Sequence, residues 1–187
     1  AVREAVQDPS RIQKVLIEDG LKNTASLKLK DEIMRAGVSY SFVPQQKLYK
    51  YTKENHQGFV ALIGQIQFAE LESIIELEKQ QLFLLLDGIT DVRNFGAIIR
   101  SAVGMGASGV IIGQTGSAPL NEVAIQASAG GAFHIPIVRV SHLKDAMYLL
   151  QYHEIALVGC TEKAALLVSN INLKRSLGIV IGNEHKG

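Results

Sequence analysis

The second half of the chain alternates short apolar segments with helical ones, and this pattern constrains the fold more than any other feature. The apolar segments cover residues 82–86, 109–113, 135–140, 155–159 and 178–181. They lack the every-second-residue alternation of a strand with one wet face, and helix-forming stretches separate them. Strands buried on both faces and connected by helices are typical of a parallel sheet. We therefore predict a parallel-sheet α/β domain over residues 78–187, with ligands bound at the carboxyl ends of its strands.

The first 77 residues predict a separate, smaller α/β domain. We expect strands over residues 11–17, 38–43 and 59–63, and a helix over 26–36 that ends at Gly37. The stretch from 70 to 81 is charged and rich in helix-forming residues, with glutamate at four positions. We predict that this stretch forms a linker helix, and we place the domain boundary near residue 78.

The composition argues against several classes of protein. No apolar run approaches the roughly 18 residues of a membrane-spanning helix, and the N-terminal residues lack the order of a secretory signal. The single cysteine, Cys160, excludes an internal disulfide and a cysteine-cluster zinc site. The five histidines are scattered, with no pair at i and i+4, so we predict no metal site. We expect a cytoplasmic protein with no membrane partner.

The net charge of +1 does not indicate a strongly basic nucleic-acid-binding domain, so an RNA site would have to be a local patch. The best candidate is the segment 47–53, in which Lys47, Lys50 and Lys53 are interleaved with Tyr49 and Tyr51. Lysines can contact phosphates, and tyrosine rings can stack on bases. A solvated face with half-buried tyrosines accounts for the same segment equally well.

Residues 104–109 match the dinucleotide-binding pattern G-x-G-x-x-G. That motif works only when a strand precedes it and a helix follows it, because the helix N-terminus has to face the pyrophosphate. In this chain the order is reversed, since a predicted helix precedes the glycines and a predicted strand follows them. We predict a glycine helix cap and a tight turn, not a nucleotide site.

Asn94, Gly96 and Arg100 form a spacing that could carry chemistry. Asn94 stands where a loop turns into a helix, a position suited to an N-cap. Gly96 would allow a close backbone approach, and Arg100 lies about one and a half helical turns beyond Asn94. Its guanidinium could face a phosphate or a developing oxyanion. On spacing alone, an ordinary helix cap with a surface arginine is the more economical interpretation.

Two segments together resemble the first two motifs of the SpoU/TrmH family of RNA 2′-O-ribose methyltransferases. Asn94, Gly96 and Arg100 follow a strand that ends in Asp87-Gly88, as in the first motif, although Val92 stands where the family usually has proline. Residues 182–187 resemble the second motif, a glycine-rich turn after a strand. The resemblance covers nearly the whole chain and is closest to the ribosomal-RNA guanosine branch. It implies an α/β-knot (SPOUT) domain preceded by a small L30e-like RNA-binding domain.

The resemblance also implies a reaction and a set of site residues. The reaction is methyl transfer from S-adenosylmethionine to a ribose 2′-hydroxyl of structured RNA, with ribosomal RNA favoured over tRNA, in a homodimer. The implied catalytic residues are Asn94, Arg100 and Glu184. The implied cofactor-binding residues are Gly159, Cys160, Gly182 and Asn183. Arg93, beside Asn94, joins the three lysines of segment 47–53 as a candidate RNA contact.

The family's third motif normally follows the second, and it supplies a serine, an asparagine and the segment that threads the knot. The sequence ends at Gly187, inside the second motif, so we expect the methyltransferase domain over residues 78–187 to lack the knot segment. Two other functions stay open: a non-catalytic RNA-binding protein of the same fold, and a nucleotide-binding α/β enzyme of another class. Cofactor binding and methyl transfer distinguish these alternatives.

Overall fold

The structure is a computed structural model that describes residues 2–6, 9, 12–53, 55–64 and 66–183. The chain divides into two compact units, the first up to Gln67 and the second from Phe68 onward. The predicted domain boundary near residue 78 lies inside the second unit and stays a prediction. Within the described ranges, no helix is long and apolar enough to cross a membrane.

The first unit is a three-stranded sheet with helices packed against it. Its elements are α1 (Val2–Ala5), β1 (Ile12–Glu18), α2 (Thr24–Arg35), β2 (Tyr40–Val43), α3 (Gln45–Leu48) and β3 (Phe59–Ile63). The strand order is β2-β1-β3, with β1 parallel to β2 and antiparallel to β3. Helix α2 begins at an Asn23 cap, whose side chain accepts a hydrogen bond from the Ser26 amide, and it buries Ile33 against Val15 and Phe59.

The second unit is a five-stranded parallel sheet. Its elements are β4 (Leu82–Leu86), α4 (Val92–Gly104), β5 (Gly109–Gly113), α5 (Glu122–Ala127), β6 (Ile137–Val140), α6 (Leu143–Tyr152), β7 (Ala156–Cys160) and β8 (Leu177–Ile181). The strand order is β6-β5-β4-β8-β7, and every neighbouring pair is parallel. The predicted parallel-sheet α/β fold is confirmed.

Both faces of the neighbouring strands β4 and β5 are buried, as their continuous apolar sequences predict, whereas β7 and most of β8 are only partly buried or exposed. Leu84 and Leu85 point to opposite faces because consecutive side chains alternate along a strand, and they are 7% and 0% exposed. One face packs against α6 through Ala146 and Leu150. Helix α4 buries Phe95 and other apolar side chains and contacts β5. Burial on both faces leaves the ends of the strands as the place where ligands can reach the sheet.

The turn after α4 confirms the structural interpretation of the G-x-G-x-x-G match. The helix ends at Gly104, and the Gly106 and Ala107 amides donate to the Val103 and Ala102 carbonyls at 3.0 and 2.9 Å. These two bonds, with Gly106 at φ +69°, form a Schellman cap that leads into β5 at Gly109.

The predicted linker helix over residues 70–81 is wrong. The segment contains one 3₁₀ turn, Glu72–Ile74, and is otherwise irregular. Side-chain contacts within the segment replace the helix: the Gln81 side chain accepts from the Glu76 amide at 2.7 Å and donates to the Ile74 carbonyl at 2.8 Å. The buried side chain of Leu71 packs into the core of the second unit. These contacts outweigh a helix propensity of a few tenths of a kcal/mol per residue.

Candidate active site

The carboxyl ends of β4, β8 and β7 lie side by side. Leu86 pairs with Ile181, and Ile181 pairs with Cys160, so three strand ends far apart in the chain meet at one edge. Neighbouring strands are about 4.8 Å apart, so the loops that follow them start within contact distance of each other. The predicted cofactor residues Gly159, Cys160, Gly182 and Asn183 therefore stand at the same edge as the loop that follows β4.

The loop over residues 87–91, which we call the motif-one loop, is held from two sides. The Asp87 amide donates to the Ile181 carbonyl of β8 at 2.8 Å. On the other side, the Ile89 carbonyl accepts from the Ala118 amide, in the loop after β5, at 2.8 Å. Gly88 makes the turn possible, because its φ of +73° is a conformation that side-chain-bearing residues rarely adopt. The start of α4 is thus fixed relative to the sheet.

The expectation that Asn94 caps α4 is wrong. The cap is Asp91, whose Oδ1 accepts a hydrogen bond from the Asn94 amide at 2.7 Å. Asp91 adopts the extended backbone conformation of an N-cap, and Asn94 is the third helical residue. The Asn94 side chain consequently lies on the exposed surface of the first helical turn, beside the strand ends. That placement suits a substrate contact better than a capping role does.

Gly96 lets α4 and α5 approach closely, as its place in the motif predicts. A Cβ atom at this position would lie 2.5 Å from both the Ala124 carbonyl oxygen and the Ala127 Cβ. Helix α5 is itself fixed at its start, where the Asn121 side chain accepts from the Val123 and Ala124 amides. The contact at Gly96 thus sets the position of α4 on the second unit.

Arg93 and Arg100 are both exposed on α4, seven residues apart. Seven residues make nearly two helical turns, so the two side chains leave the same side of the helix. Asn94 and Arg100 are about 9 Å apart along the axis and about 120° apart around it. At Gly131, a Cβ would meet the Arg100 Cα at 3.5 Å, so ordinary packing supports the backbone of Arg100. The helix therefore presents a guanidinium and an amide toward solvent from a fixed backbone.

The glycines in β7, in β8 and directly after β8 have two different roles. A Cβ at Gly159 or Gly182 would meet nothing within 4 Å, so the backbone at both positions borders open space. Gly178 is buried instead, and a Cβ there would lie 2.7 Å from Leu157 Cδ2. Cys160 is an exposed free thiol at the end of β7. The backbone at Gly159 and Gly182 is thus open to a ligand, whereas β8 is tightly packed at Gly178.

Asn183 joins the two motifs directly. Its Nδ2 donates to the Gly88 carbonyl at 2.7 Å, which links the residues after β8 to the motif-one loop. Glu184, the third predicted catalytic residue, lies outside the described residues. The described part of both motifs therefore converges on one edge of the sheet, and the assignment of Glu184 stays a prediction.

The predicted RNA segment belongs to the first unit and is exposed. Lys47, Lys50 and Lys53 are exposed, and the tyrosines between them are 53% (Tyr49) and 44% (Tyr51) accessible. The Tyr49 ring meets the His56 ring edge to face, with centroids 4.9 Å apart. Exposures near one half fit both the RNA-binding interpretation and that of a solvated face with half-buried tyrosines. Among the described residues, no cluster of three or more His, Cys, Asp or Glu side chains could hold a metal ion.

Sequence reasoning missed Asp91, Gly88 and Gly131 as residues that shape the site. Asp91 carried a usable signal, since an aspartate three residues before a helical position is a common capping arrangement. The Asp87-Gly88 dipeptide likewise predicts a turn with positive φ. Gly131 carried no signal, because its contact with α4 exists only once the sheet has assembled.

Each unit matches a protein-family model. The SpoU rRNA Methylase family matches residues 81–187. The family of substrate-binding domains of RNA 2′-O ribose methyltransferases matches residues 1–69. The first match covers more than half of the chain, so the chain belongs to the SpoU rRNA Methylase family.

Individual relatives agree with the family. The chain is 34% identical to the 23S rRNA (guanosine-2′-O-)-methyltransferase RlmB of Vibrio cholerae, over 100% of this chain and 78% of that protein. It is 31% identical to a Staphylococcus aureus protein named as a TrmH family tRNA/rRNA methyltransferase, over 100% and 77%. The SpoU methyltransferase AviRb from Streptomyces viridochromogenes, solved in complex with the cofactor AdoMet, shares the fold with a TM-score of 0.82 at 24% identity, over 100% and 72%. The predictions of family, fold and methyltransferase class are confirmed.

Proposed function

We propose that this protein transfers a methyl group from S-adenosylmethionine to a ribose 2′-hydroxyl of RNA, and that ribosomal RNA is its substrate. The observation that carries the proposal is the convergence of both motifs at the carboxyl ends of β4, β8 and β7, joined by the Asn183–Gly88 hydrogen bond. In open parallel sheets this edge is where ligands bind. Membership of the SpoU rRNA Methylase family indicates that the reaction at this edge is methyl transfer.

The residues at the edge fit an adenosine-containing cofactor. The backbone at Gly159 and Gly182 borders open space, so its amides and carbonyls can hydrogen-bond a flat base and a ribose without side-chain interference. Cys160 would lie beside them at the end of β7. We assign these three residues to cofactor binding. When bound, S-adenosylmethionine supplies an activated methyl group with a neutral thioether as leaving group.

The chain's own task is then to orient and activate the ribose hydroxyl. Asn94 and Arg100 are both exposed on α4, where an amide can hold the ribose and a guanidinium can face charge. Neutral arginine is hardly ever populated in proteins, so we assign Arg100 as a fixed cation that stabilises the developing alkoxide and holds the adjacent phosphate. Arg93, on the same side of α4, is assigned to a second phosphate.

The RNA is proposed to contact the first unit through segment 47–53. Exposed lysines alternate there with exposed tyrosine rings, which suits a backbone contact combined with base stacking. The match of residues 1–69 to a substrate-binding family supports this role. Ribosomal RNA is favoured over tRNA because the RlmB relative acts on 23S rRNA, whereas the Staphylococcus aureus relative's name covers both kinds of RNA.

Two further properties belong to the same proposal. We propose a homodimer, as the family resemblance implies, and sedimentation equilibrium of the full-length protein measures it. A cytoplasmic location follows from an RNA substrate. Both stay predictions.

The deciding experiment is methyl transfer from labelled S-adenosylmethionine to unmodified ribosomal RNA and tRNA, followed by nucleoside mass spectrometry. The full-length protein is compared with Arg100→Ala and with Arg175→Ala. Arg175 is a matched control because it is exposed just before β8, at the opposite edge of the sheet. We expect a 2′-O-methylated nucleoside with the wild type and the control, and a large loss with Arg100→Ala. RNA binding without transfer would instead favour the non-catalytic alternative.

A further inference from the structure

We infer that Asn183 is a positioning residue that holds the motif-one loop for methyl transfer, and that its side chain is not a cofactor ligand. The inference deepens the proposed function and rests on it. It also replaces the role that the sequence resemblance implies for Asn183. Three observations carry it: a hydrogen bond, a close glycine contact and the short path from that contact to α4.

The hydrogen bond connects two segments 95 residues apart in the chain. Asn183 Nδ2 donates to the Gly88 carbonyl oxygen at 2.7 Å in a partly buried setting. The contact is also tight in shape, because a Cβ at Gly88 would lie 3.3 Å from the Asn183 Cβ. Gly88 has a φ of +73°, so its carbonyl direction depends on a turn conformation that other residues adopt poorly. The amide of Asn183 therefore helps to fix the carbonyl of a glycine turn whose backbone is otherwise conformationally permissive.

The path from Gly88 to the reacting edge is short. Only Ile89, Thr90 and Asp91 separate Gly88 from the first residue of α4. Asp91 caps that helix through the Asn94 amide at 2.7 Å. A displaced Gly88 carbonyl consequently displaces the cap and the first helical turn, which carries Asn94. Misplacement of a reacting group by about 1 Å can cost on the order of 100-fold in rate.

The backbone that we assign to cofactor binding is not the group that the Asn183 side chain contacts. The open backbone is at Gly159 and Gly182, whereas the Asn183 amide is engaged with a protein carbonyl. A positioning role and a binding role predict different kinetics. Loss of a positioning group lowers kcat at saturating cofactor, and loss of a ligand weakens cofactor affinity.

The test compares Asn183→Asp with Asn172→Asp in the full-length protein. Asn183→Asp keeps the side-chain shape, removes the donor and sets a carboxylate oxygen against the Gly88 carbonyl. Asn172→Asp is the matched control, because Asn172 is exposed and acts as an acceptor toward the Lys174 amide at 2.9 Å, which aspartate can also do. We expect kcat at saturating S-adenosylmethionine and RNA to fall on the order of 10-fold for Asn183→Asp. Calorimetry should show a cofactor Kd within about 3-fold of wild type, which is under 1 kcal/mol.

A second measurement makes the inference independent of activity. Hydrogen exchange of the backbone amides over residues 89–95 should be faster in Asn183→Asp than in wild type and unchanged in Asn172→Asp. Unchanged exchange together with unchanged kcat would overturn the inference. So would a cofactor Kd weakened about 10-fold with kcat retained at saturation, which identifies a ligand. If the wild type transfers no methyl group at all, the proposed function fails, and hydrogen exchange alone decides the role of Asn183.

Discussion

Replacing Gly96 with alanine tests whether the contact between α4 and α5 sets the geometry of the site. Each of the two contacts at 2.5 Å is too short for a real Cβ, and one of them is with the backbone oxygen of Ala124. The Ser128 amide nitrogen would lie only 3.0 Å away as well. Because backbone atoms cannot rotate out of the way, the helices have to separate by several tenths of an ångström.

The expected magnitude comes from two opposing effects. Alanine in a helix interior is about 0.5–1 kcal/mol more favourable than glycine. Overpacking of a closely packed contact costs about 1–3 kcal/mol. The contacts at Gly96 involve backbone, so we place the cost toward the upper end and expect a net destabilisation of about 1–2 kcal/mol. For a chain of this size, that corresponds to a Tm lower by about 2–8 °C.

Gly104→Ala is the matched control on the same helix. A Cβ at Gly104 would meet nothing within 4 Å, and Gly104 is the last residue of α4. The same substitution should therefore leave stability unchanged or raise it by up to about 1 kcal/mol. Thermal unfolding followed by circular dichroism measures the stability of both variants, and the rate of methyl transfer shows whether separating the helices impairs the site. The reasoning fails if Gly96→Ala is as stable as Gly104→Ala.

Three further predictions concern single groups on α4 and the first unit. Asp91→Ala should cost about 1 kcal/mol of stability in denaturant unfolding because the cap is lost, whereas Asn94→Ala should change stability little and lower methyl transfer. A loss of stability in Asn94→Ala without one in Asp91→Ala would instead assign the cap to Asn94. Arg100→Lys should retain part of the activity if Arg100 acts as a charge, and complete inactivity would count against that role, although the two side chains differ in geometry. Replacing Lys47, Lys50 and Lys53 together with alanine should weaken RNA binding and reduce its dependence on salt concentration. An unchanged salt dependence would show that these lysines do not contact the RNA.

The sheet could be predicted well from the sequence because burial on both faces produces a simple apolar pattern. A strand buried on both faces has to be apolar at consecutive positions, as Leu84 and Leu85 are. The turn at residues 104–109 was also predictable, since a helix before the glycines and a strand after them exclude the nucleotide-binding arrangement. These inferences depend only on the local sequence and on the tendency of apolar side chains to avoid water.

The errors arise where specific side-chain contacts override the general preference of a segment. Residues 70–81 have the composition of a helix, yet the bonds of the Gln81 side chain and the burial of Leu71 hold an irregular path. The cap was misplaced because aspartate and asparagine are about equally good N-caps, and a helix start can be shifted by three residues without changing the apolar pattern. In both cases the deciding hydrogen bonds join residues three to seven positions apart, and composition and apolar periodicity alone do not identify them.

The site itself depends on the order of the strands in the sheet, which no local sequence pattern encodes. The apolar strands of the second unit are similar in composition, so their order in the sheet cannot be read from them. In the folded chain, β8 inserts between β4 and β7, and that insertion places Gly182 and Asn183 beside both the motif-one loop and the end of β7. If β8 were instead an outer strand, away from β4, the sequence would contain the same motifs, but they would lie apart in the fold. The Asn183–Gly88 hydrogen bond spans that join, so weakening it should affect the relation between the two motifs before it affects the stability of either strand.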